Sequence, residues 1–143
     1  MLILGPSGCG KSTLAYRLVA VAEEAGYFAR LVGDDRIGIS AHGNRIIARG
    51  HATISGKIEL RGRGIVEVPF LGAAALKLAI CITGPGEIIP RYPETEQSHV
   101  VFAGVKLPCL PMRQDAAHTD LAFLVMADLH SRHLIPRAFF VGS

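Results

Sequence analysis

The segment Gly5-Pro6-Ser7-Gly8-Cys9-Gly10-Lys11-Ser12 constrains this chain more than any other. It satisfies the pattern G-x-x-x-x-G-K-[ST] at every position. Before it, residues 1–4 are apolar and read as the end of a short buried strand. After it, Leu14, Leu18, Val21 and Ala25 recur at helical spacing, and Gly26 is placed to end the helix. Strand, loop and helix in that order are the context the motif requires. Its glycines let backbone N–H groups approach phosphate oxygens with no Cβ in the way. The helix N-terminus adds partial positive charge. Lys11 reaches the outer phosphates and the Ser12 hydroxyl joins an Mg²⁺ shell. A triphosphate bound through Gly5, Pro6, Ser7, Gly8, Cys9, Gly10, Lys11 and Ser12 is therefore expected. The loop does not say what receives the phosphoryl group.

At 143 residues the chain is one domain's worth, and half of it is hydrophobic. Such a length buries roughly 70% of its unfolded surface. Sixteen glycines and eight prolines imply many turns and speak against a helical bundle. The net charge of +3 is not drawn into a stripe. Nucleic acid is thus not the expected partner, and a phosphate ligand or an acidic partner suits better. Cys9, Cys81 and Cys109 lie far apart, with no CxxC pair and no Cys/His metal spacing. They read as free thiols in a reducing cytoplasm. The longest apolar run, near residues 121–129, is interrupted by Asp128 and is too short to span a bilayer. The first residues run straight into the glycine motif and do not read as a signal peptide.

Further elements follow from pattern. Residues 28–32 are compactly apolar and read as a second strand. Ile37 and Ile39, then Ile46 and Ile47, flank His42-Gly43-Asn44 as a hairpin. Residues 54–68 read as a strand entering a turn at Gly62 and Gly64. Residues 76–83 are almost continuously apolar, as in a fully buried strand. Residues 84–96 read as a loop, and residues 99–110 as a strand region closed by Pro108 and Pro111. Asp115 or Thr119 is placed to cap a last helix reaching about His133, ended by Pro136. Leu121, Leu124, Val125 and Leu129 would share its buried face. The expected class is α/β, with α+β as the variant: a mixed sheet with flanking helices.

Two acidic segments could complete the loop's chemistry. Asp34-Asp35 stands at a predicted strand end, where adjacent side chains point to opposite faces and only one need meet the phosphates. A turn pair is the structural alternative. Ile58-Glu59-Leu60-Arg61-Gly62-Arg63-Gly64-Ile65-Val66-Glu67 gathers carboxylates, guanidiniums and glycines in an otherwise apolar chain. Glu59 could hold Mg²⁺ while Arg61 meets a phosphoryl group. The alternative is an exposed cross-strand ion pair.

With those residues in view, the chain resembles the catalytic domain of the HPr kinase/phosphorylase family. The resemblance rests on the phosphate loop, on Leu31-Val32-Gly33-Asp34-Asp35-Arg36, and on Lys57-Ile58-Glu59-Leu60-Arg61-Gly62-Arg63-Gly64-Ile65-Val66, in the family's order. Weaker similarity continues through residues 107–127. It implies a single phosphate-loop kinase domain over residues 1–143, of the phosphoenolpyruvate-carboxykinase-like type and truncated at its N-terminus. The family's histidine upstream of the loop has no counterpart after Met1. The implied activity is ATP-dependent phosphorylation of a serine on the phosphocarrier protein HPr, with the reverse phosphorylase reaction. Implied roles are triphosphate binding by Lys11 and its loop, and Mg²⁺ ligation by Ser12 and Glu59. Asp35 would be the base for the target serine, with Asp34 turned away or supporting. Arg91 falls near the family's catalytic arginine. Arg113 matches the start of a stretch linked to dephosphorylation, whose second arginine is absent here. A cytoplasmic homo-oligomer of hexameric type is also implied. Rival readings are a small-molecule kinase and a nucleotide-binding regulatory module with little catalysis. His130 and His133 read as a surface pair, His118 as a helix-start surface residue, and Cys9 as a small filler.

Overall fold

The computed structural model describes residues 1–84, 86–87, 98–114 and 121–134. The order is β1 (Leu2–Leu4), α1 (Lys11–Glu24), β2 (Ile37–His42), β3 (Arg45–Gly50), β4 (Lys57–Leu60), β5 (Gly64–Glu67), β6 (Ala73–Leu76), β7 (Ala79–Thr83), β8 (His99–Phe102), β9 (Val105–Arg113) and α2 (Leu121–Ser131). A four-stranded sheet has the order β1-β7-β9-β8, a three-stranded sheet the order β2-β3-β6, and β4-β5 is a separate hairpin. The first sheet is mixed: β1, β7 and β9 are parallel, and β8 returns antiparallel to β9. The expected α/β class with a mixed sheet is what forms.

β7 lies at the centre because it is apolar on both sides. Its alternate residues Ile80 and Ile82 pack with Leu14 and Leu18 of α1 and with Ala122, Val125, Met126 and Leu129 of α2. Ala79 faces the opposite way, into a cluster with Leu2, Ile46, Ala48, Leu76 and Leu107. Both helices therefore cover one face of the sheet, and the second sheet covers the other. Gly26 ends α1 as expected: its N–H reaches the Glu23 carbonyl at 2.9 Å, and the Tyr27 N–H reaches that of Ala22 at 2.8 Å. The hairpin at Gly43-Asn44 also forms, with His42 paired to Arg45.

Several expectations are corrected. Residues 28–32 are not a strand; Leu31 alone makes a bridge, to Phe70. Its N–H goes to Pro69 and its carbonyl accepts from Leu71, so this segment is held by a loop and not by a sheet edge. Leu76 ends β6, and β7 starts only at Ala79. Residues 99–110 are two strands, β8 and β9, turning at Ala103-Gly104. Pro108 and Pro111 do not close a strand but lie within β9. The Cys109 N–H points to Ser98 at 2.9 Å, so by alternation the Pro111 nitrogen faces the same side, beyond the end of β8. The Pro108 nitrogen faces the other side, ahead of the first β7 pair at Ala79–Cys109. Neither position removes a ladder bond. On α2 the buried face is Ala122, Val125, Met126 and Leu129, whereas Leu124 is 43% exposed. Cys81 and Cys109 are not free thiols. They are joined across β7 and β9 with Cα atoms 6.3 Å apart, which leaves Cys9 as the free cysteine among the described residues. Asp115, His118, Thr119, Pro136 and most of the 84–96 loop lie outside the described residues.

The register of α2 makes a direct prediction. Met126→Ala should destabilise the fold by about 2–5 kcal/mol, the usual range for emptying a buried methionine site. Leu124→Ala should stay within about 0.5 kcal/mol of the parent. Urea unfolding of the two variants checks this, and equal losses would mean the helix presents a different face.

Candidate functional site

The parallel strands β1, β7 and β9 all end at one side of the sheet, and the glycine loop leaves the end of β1 there. Gly5 is pressed against its neighbours. A Cβ on it would come within 2.8 Å of the Cys9 sulfur and 3.0 Å of the Ile82 Cβ. Cys9 thus fills the space beneath the loop, as a small residue should. Gly8 takes φ +77°, and Gly10, with φ +93°, precedes the first residue of α1. Gly10 supplies no side-chain cap, and the first turn of α1 carries no acidic residue. The opening N–H groups and the positive end of the helix are therefore left for an external anion. The Lys11 ammonium spans the loop, donating to the Gly5 carbonyl at 3.0 Å and the Pro6 carbonyl at 2.8 Å.

The acidic pair meets this loop through Asp34. Its Oδ1 accepts a hydrogen bond from the Ser12 hydroxyl at 2.6 Å. Its Oδ2 accepts from the Glu59 backbone N–H at 3.2 Å. Phosphate loop, aspartate pair and the β4–β5 hairpin therefore converge on one carboxylate. Asp34 does not turn away; it is the member of the pair that faces the loop. Asp35 is exposed beside it. The position of the pair depends on Gly50 at the end of β3. A Cβ there would lie 2.1 Å from the Val32 carbonyl oxygen, so only glycine lets residues 32–33 pass this close. From sequence Asp34 was named only as one of a pair, turned away or supporting, and Gly50 was not singled out. For Asp34 the signal was present but shared with its neighbour, and for Gly50 the signal exists only in three dimensions.

Arg61, in the turn after β4, lies over the crown of the loop, with its Nη2 2.7 Å from where a Gly8 Cβ would be. Arg113 ends β9 opposite Thr83, at the same end of the sheet but two strands from β1. Arg91 lies outside the described residues. A cleft of about 600 Å³ opens beside the loop; Lys11, Asp34 and Asp35 line one end, and Leu18, Met126 and Leu129 lie among its apolar walls. The Met1 amine also borders it, and burial lowers the pKa of that amine below its ordinary value. Ser12, Asp34 and Glu59 offer hard oxygen donors. That set suits Mg²⁺, which takes few protein ligands and keeps water and phosphate oxygens. No helix among the described residues is long and apolar enough to cross a membrane.

A strand, a tight glycine loop and a helix with an uncapped, non-acidic start define the phosphate-loop class of protein. Within that class, the chain belongs to the HPr Serine kinase C-terminal domain family, whose family model matches residues 1–82. It is 39% identical over 71 residues to the HPr kinase/phosphorylase of Clostridium tetani, covering 50% of this chain and 21% of that protein. It is 38% identical over 68 residues to the Mycoplasma mycoides HPr kinase/phosphorylase, covering 48% of this chain and 20% of that protein. The matched region thus spans about a fifth of the length of these curated relatives. The structure of the Hpr(Ser) kinase/phosphatase from Coxiella burnetii superimposes with a TM-score of 0.74 over 92% of this chain and 86% of that one, at 22% identity. The two share a fold.

Two predictions follow from the geometry. Gly50→Ala should destabilise the protein by about 1–3 kcal/mol, the range for overpacking. It should also displace the aspartate pair, which a melting curve and a crystal structure of the variant would reveal. Lys11→Met should keep the parent's melting temperature and lose roughly 10–100-fold in ATP affinity, the worth of charge-assisted bonds to phosphate. Calorimetric titration with ATP would detect it.

Proposed function

We propose that this chain carries the ATP site of a protein-serine kinase, and that its acceptor is a serine on the phosphocarrier protein HPr. The observation that carries the reading is the Asp34 carboxylate, which joins the loop serine to the hairpin bearing Glu59. Three sequence segments that are otherwise far apart meet at one point beside a phosphate loop. The family membership and the names of the relatives support HPr as the acceptor.

Each residue has a defined task in such a transfer. The loop N–H groups and Lys11 hold the triphosphate and offset its charge. Ser12, Asp34 and Glu59 would hold Mg²⁺, which when bound screens the phosphate oxygens. Asp35, exposed beside Asp34, takes the proton from the serine hydroxyl as its oxygen attacks the γ-phosphorus. The bond from that phosphorus to the β-γ bridging oxygen breaks and ADP leaves. Arg91 and Arg113 are proposed to steady the transferring group, Arg113 in the reverse reaction with phosphate. A cytoplasmic homo-oligomer of hexameric type belongs to the same proposal.

One observation favours a second reading. The cleft beside Lys11, Asp34 and Asp35 is of small-molecule size, as a kinase for a compact hydroxyl substrate would need. Incubation with ATP, Mg²⁺ and purified HPr, followed by mass spectrometry of the acceptor, separates the two. A phosphoserine on HPr supports the first reading, and ATP turnover with no phosphorylated HPr favours the second.

The roles of the two aspartates can be told apart. Asp35→Asn should retain ATP binding and lose transfer by about 10²–10⁴-fold, the usual contribution of a general base. Asp34→Asn should instead raise the Mg²⁺ concentration needed for half-maximal activity. Single-turnover phosphorylation of HPr across a Mg²⁺ titration measures both. Wild-type transfer by the Asp35 variant would move the base elsewhere.

A further inference from the structure

We propose that Arg61 is a second phosphate-contacting cation of the loop, placed to read the γ-phosphate and so to distinguish a nucleoside triphosphate from a diphosphate. The proposal rests on the nucleotide-site reading above and adds to it a residue outside the phosphate-loop motif.

The geometry has three parts. First, the guanidinium sits directly on the loop. From the position a Gly8 Cβ would take, Nη2 is 2.7 Å away, Cζ 3.5 Å and Nη1 3.8 Å. A side chain at position 8 would push it off, and Gly8 has none. Second, the arginine is held there by its own turn. The Arg63 N–H closes on the Leu60 carbonyl at 3.0 Å, and Gly62 takes φ +76°, as the third residue of such a turn can require. The strand leading into this turn is tied to the loop through Glu59, Asp34 and Ser12. Third, Arg61 makes no ion pair among the described residues. Arg30 and Arg132, by contrast, are each paired with a carboxylate, Glu23 and Asp128.

A guanidinium and an ammonium on one eight-residue loop repel each other unless an anion lies between them. Lys11 lies across the loop on the Gly5 and Pro6 carbonyls, and Arg61 approaches at Gly8. The helix N-terminus adds a third source of positive potential. A phosphate ester answers all three. The planar fork of Arg61 fits two oxygens of one phosphoryl group, a geometry that lysine cannot reproduce. Arg63 serves as an internal control. It lies two residues further along the same turn and carries the same charge.

The test is titration of the intact chain with MgATP and with MgADP by calorimetry, for wild type, Arg61→Ala, Arg61→Lys and Arg63→Ala. Wild type should bind ATP more tightly than ADP. Arg61→Ala should lose roughly 10-fold or more in ATP affinity and little in ADP affinity, so the preference collapses. Arg61→Lys should recover part of it, and Arg63→Ala should keep the wild-type ratio. Melting curves should coincide, since the side chain is exposed in a turn. An unchanged ATP-to-ADP ratio in Arg61→Ala, with wild type binding both, overturns this proposal alone. An equal loss in Arg63→Ala also overturns it, because general charge then explains the effect. Wild type that binds neither nucleotide overturns the nucleotide site and this proposal with it.

Discussion

The site hangs on the two oxygens of one carboxylate. Asp34 is 22 residues from Ser12 and 25 from Glu59 in sequence, yet it accepts a hydrogen bond from each. A carboxylate accepts and does not donate, so it can join two donors from separate elements. Such charge-assisted bonds are roughly twice as strong as neutral ones. The β4–β5 hairpin is also anchored by Ile58 of β4, which is 1% exposed, and this joint sets how its turn meets the loop. Among the described residues its strands pair with each other and with no other sheet. Glu59 and Arg61 come to the site only because the hairpin does.

The joint works because the layers around it fix the position of Asp34. The residues before it do not form a strand, so ladder hydrogen bonds do not hold them. They are fixed by close packing instead: Leu31 is buried and bridged to Phe70, and residues 32–33 pass over Gly50. Close packing without a ladder tolerates little change in side-chain volume. That makes the small residue at position 50 a condition of the site, although it lies outside the chemistry.

Around the loop the electrostatics run opposite to those of an ordinary helix start. Most helices offset their N-terminal potential with a capping side chain or an acidic first turn. α1 has neither, and Lys11 is its first residue. Arg61 adds a further positive charge from outside. This arrangement lowers the stability of the isolated loop and raises its affinity for phosphate. Asp34 brings one negative charge to this end of the helix, where its carboxylate accepts from Ser12 and from the Glu59 N–H. The neighbouring Asp35 is exposed and lines the same cleft.

The loop, the helix behind it and the end of that helix were legible from the sequence. They depend on local rules: glycine where backbone must approach a ligand, apolar residues one turn apart, and a glycine that stops the helix. The hairpin at Gly43 and the turn at Gly62 were legible for the same reason; that the second turn joins a separate two-stranded hairpin was not. The prolines of β9 and the face of α2 were misread. Local patterns do not reveal which side of a strand has a partner, nor that Leu124 is turned outward while Met126 is buried. The pairing of Cys81 with Cys109 depends on β7 and β9 lying side by side, a relation between segments 28 residues apart. The acidic pair shows the boundary most clearly. Sequence marked Asp34-Asp35 as a site and could not say which carboxylate meets the loop, because adjacent side chains diverge and only the surrounding packing orients them. Tertiary structure turned Asp34 to Ser12, brought Arg61 over Gly8 and required glycine at position 50. Each of these is a contact between elements, and its geometry is set by the packing of layers, which no local pattern encodes.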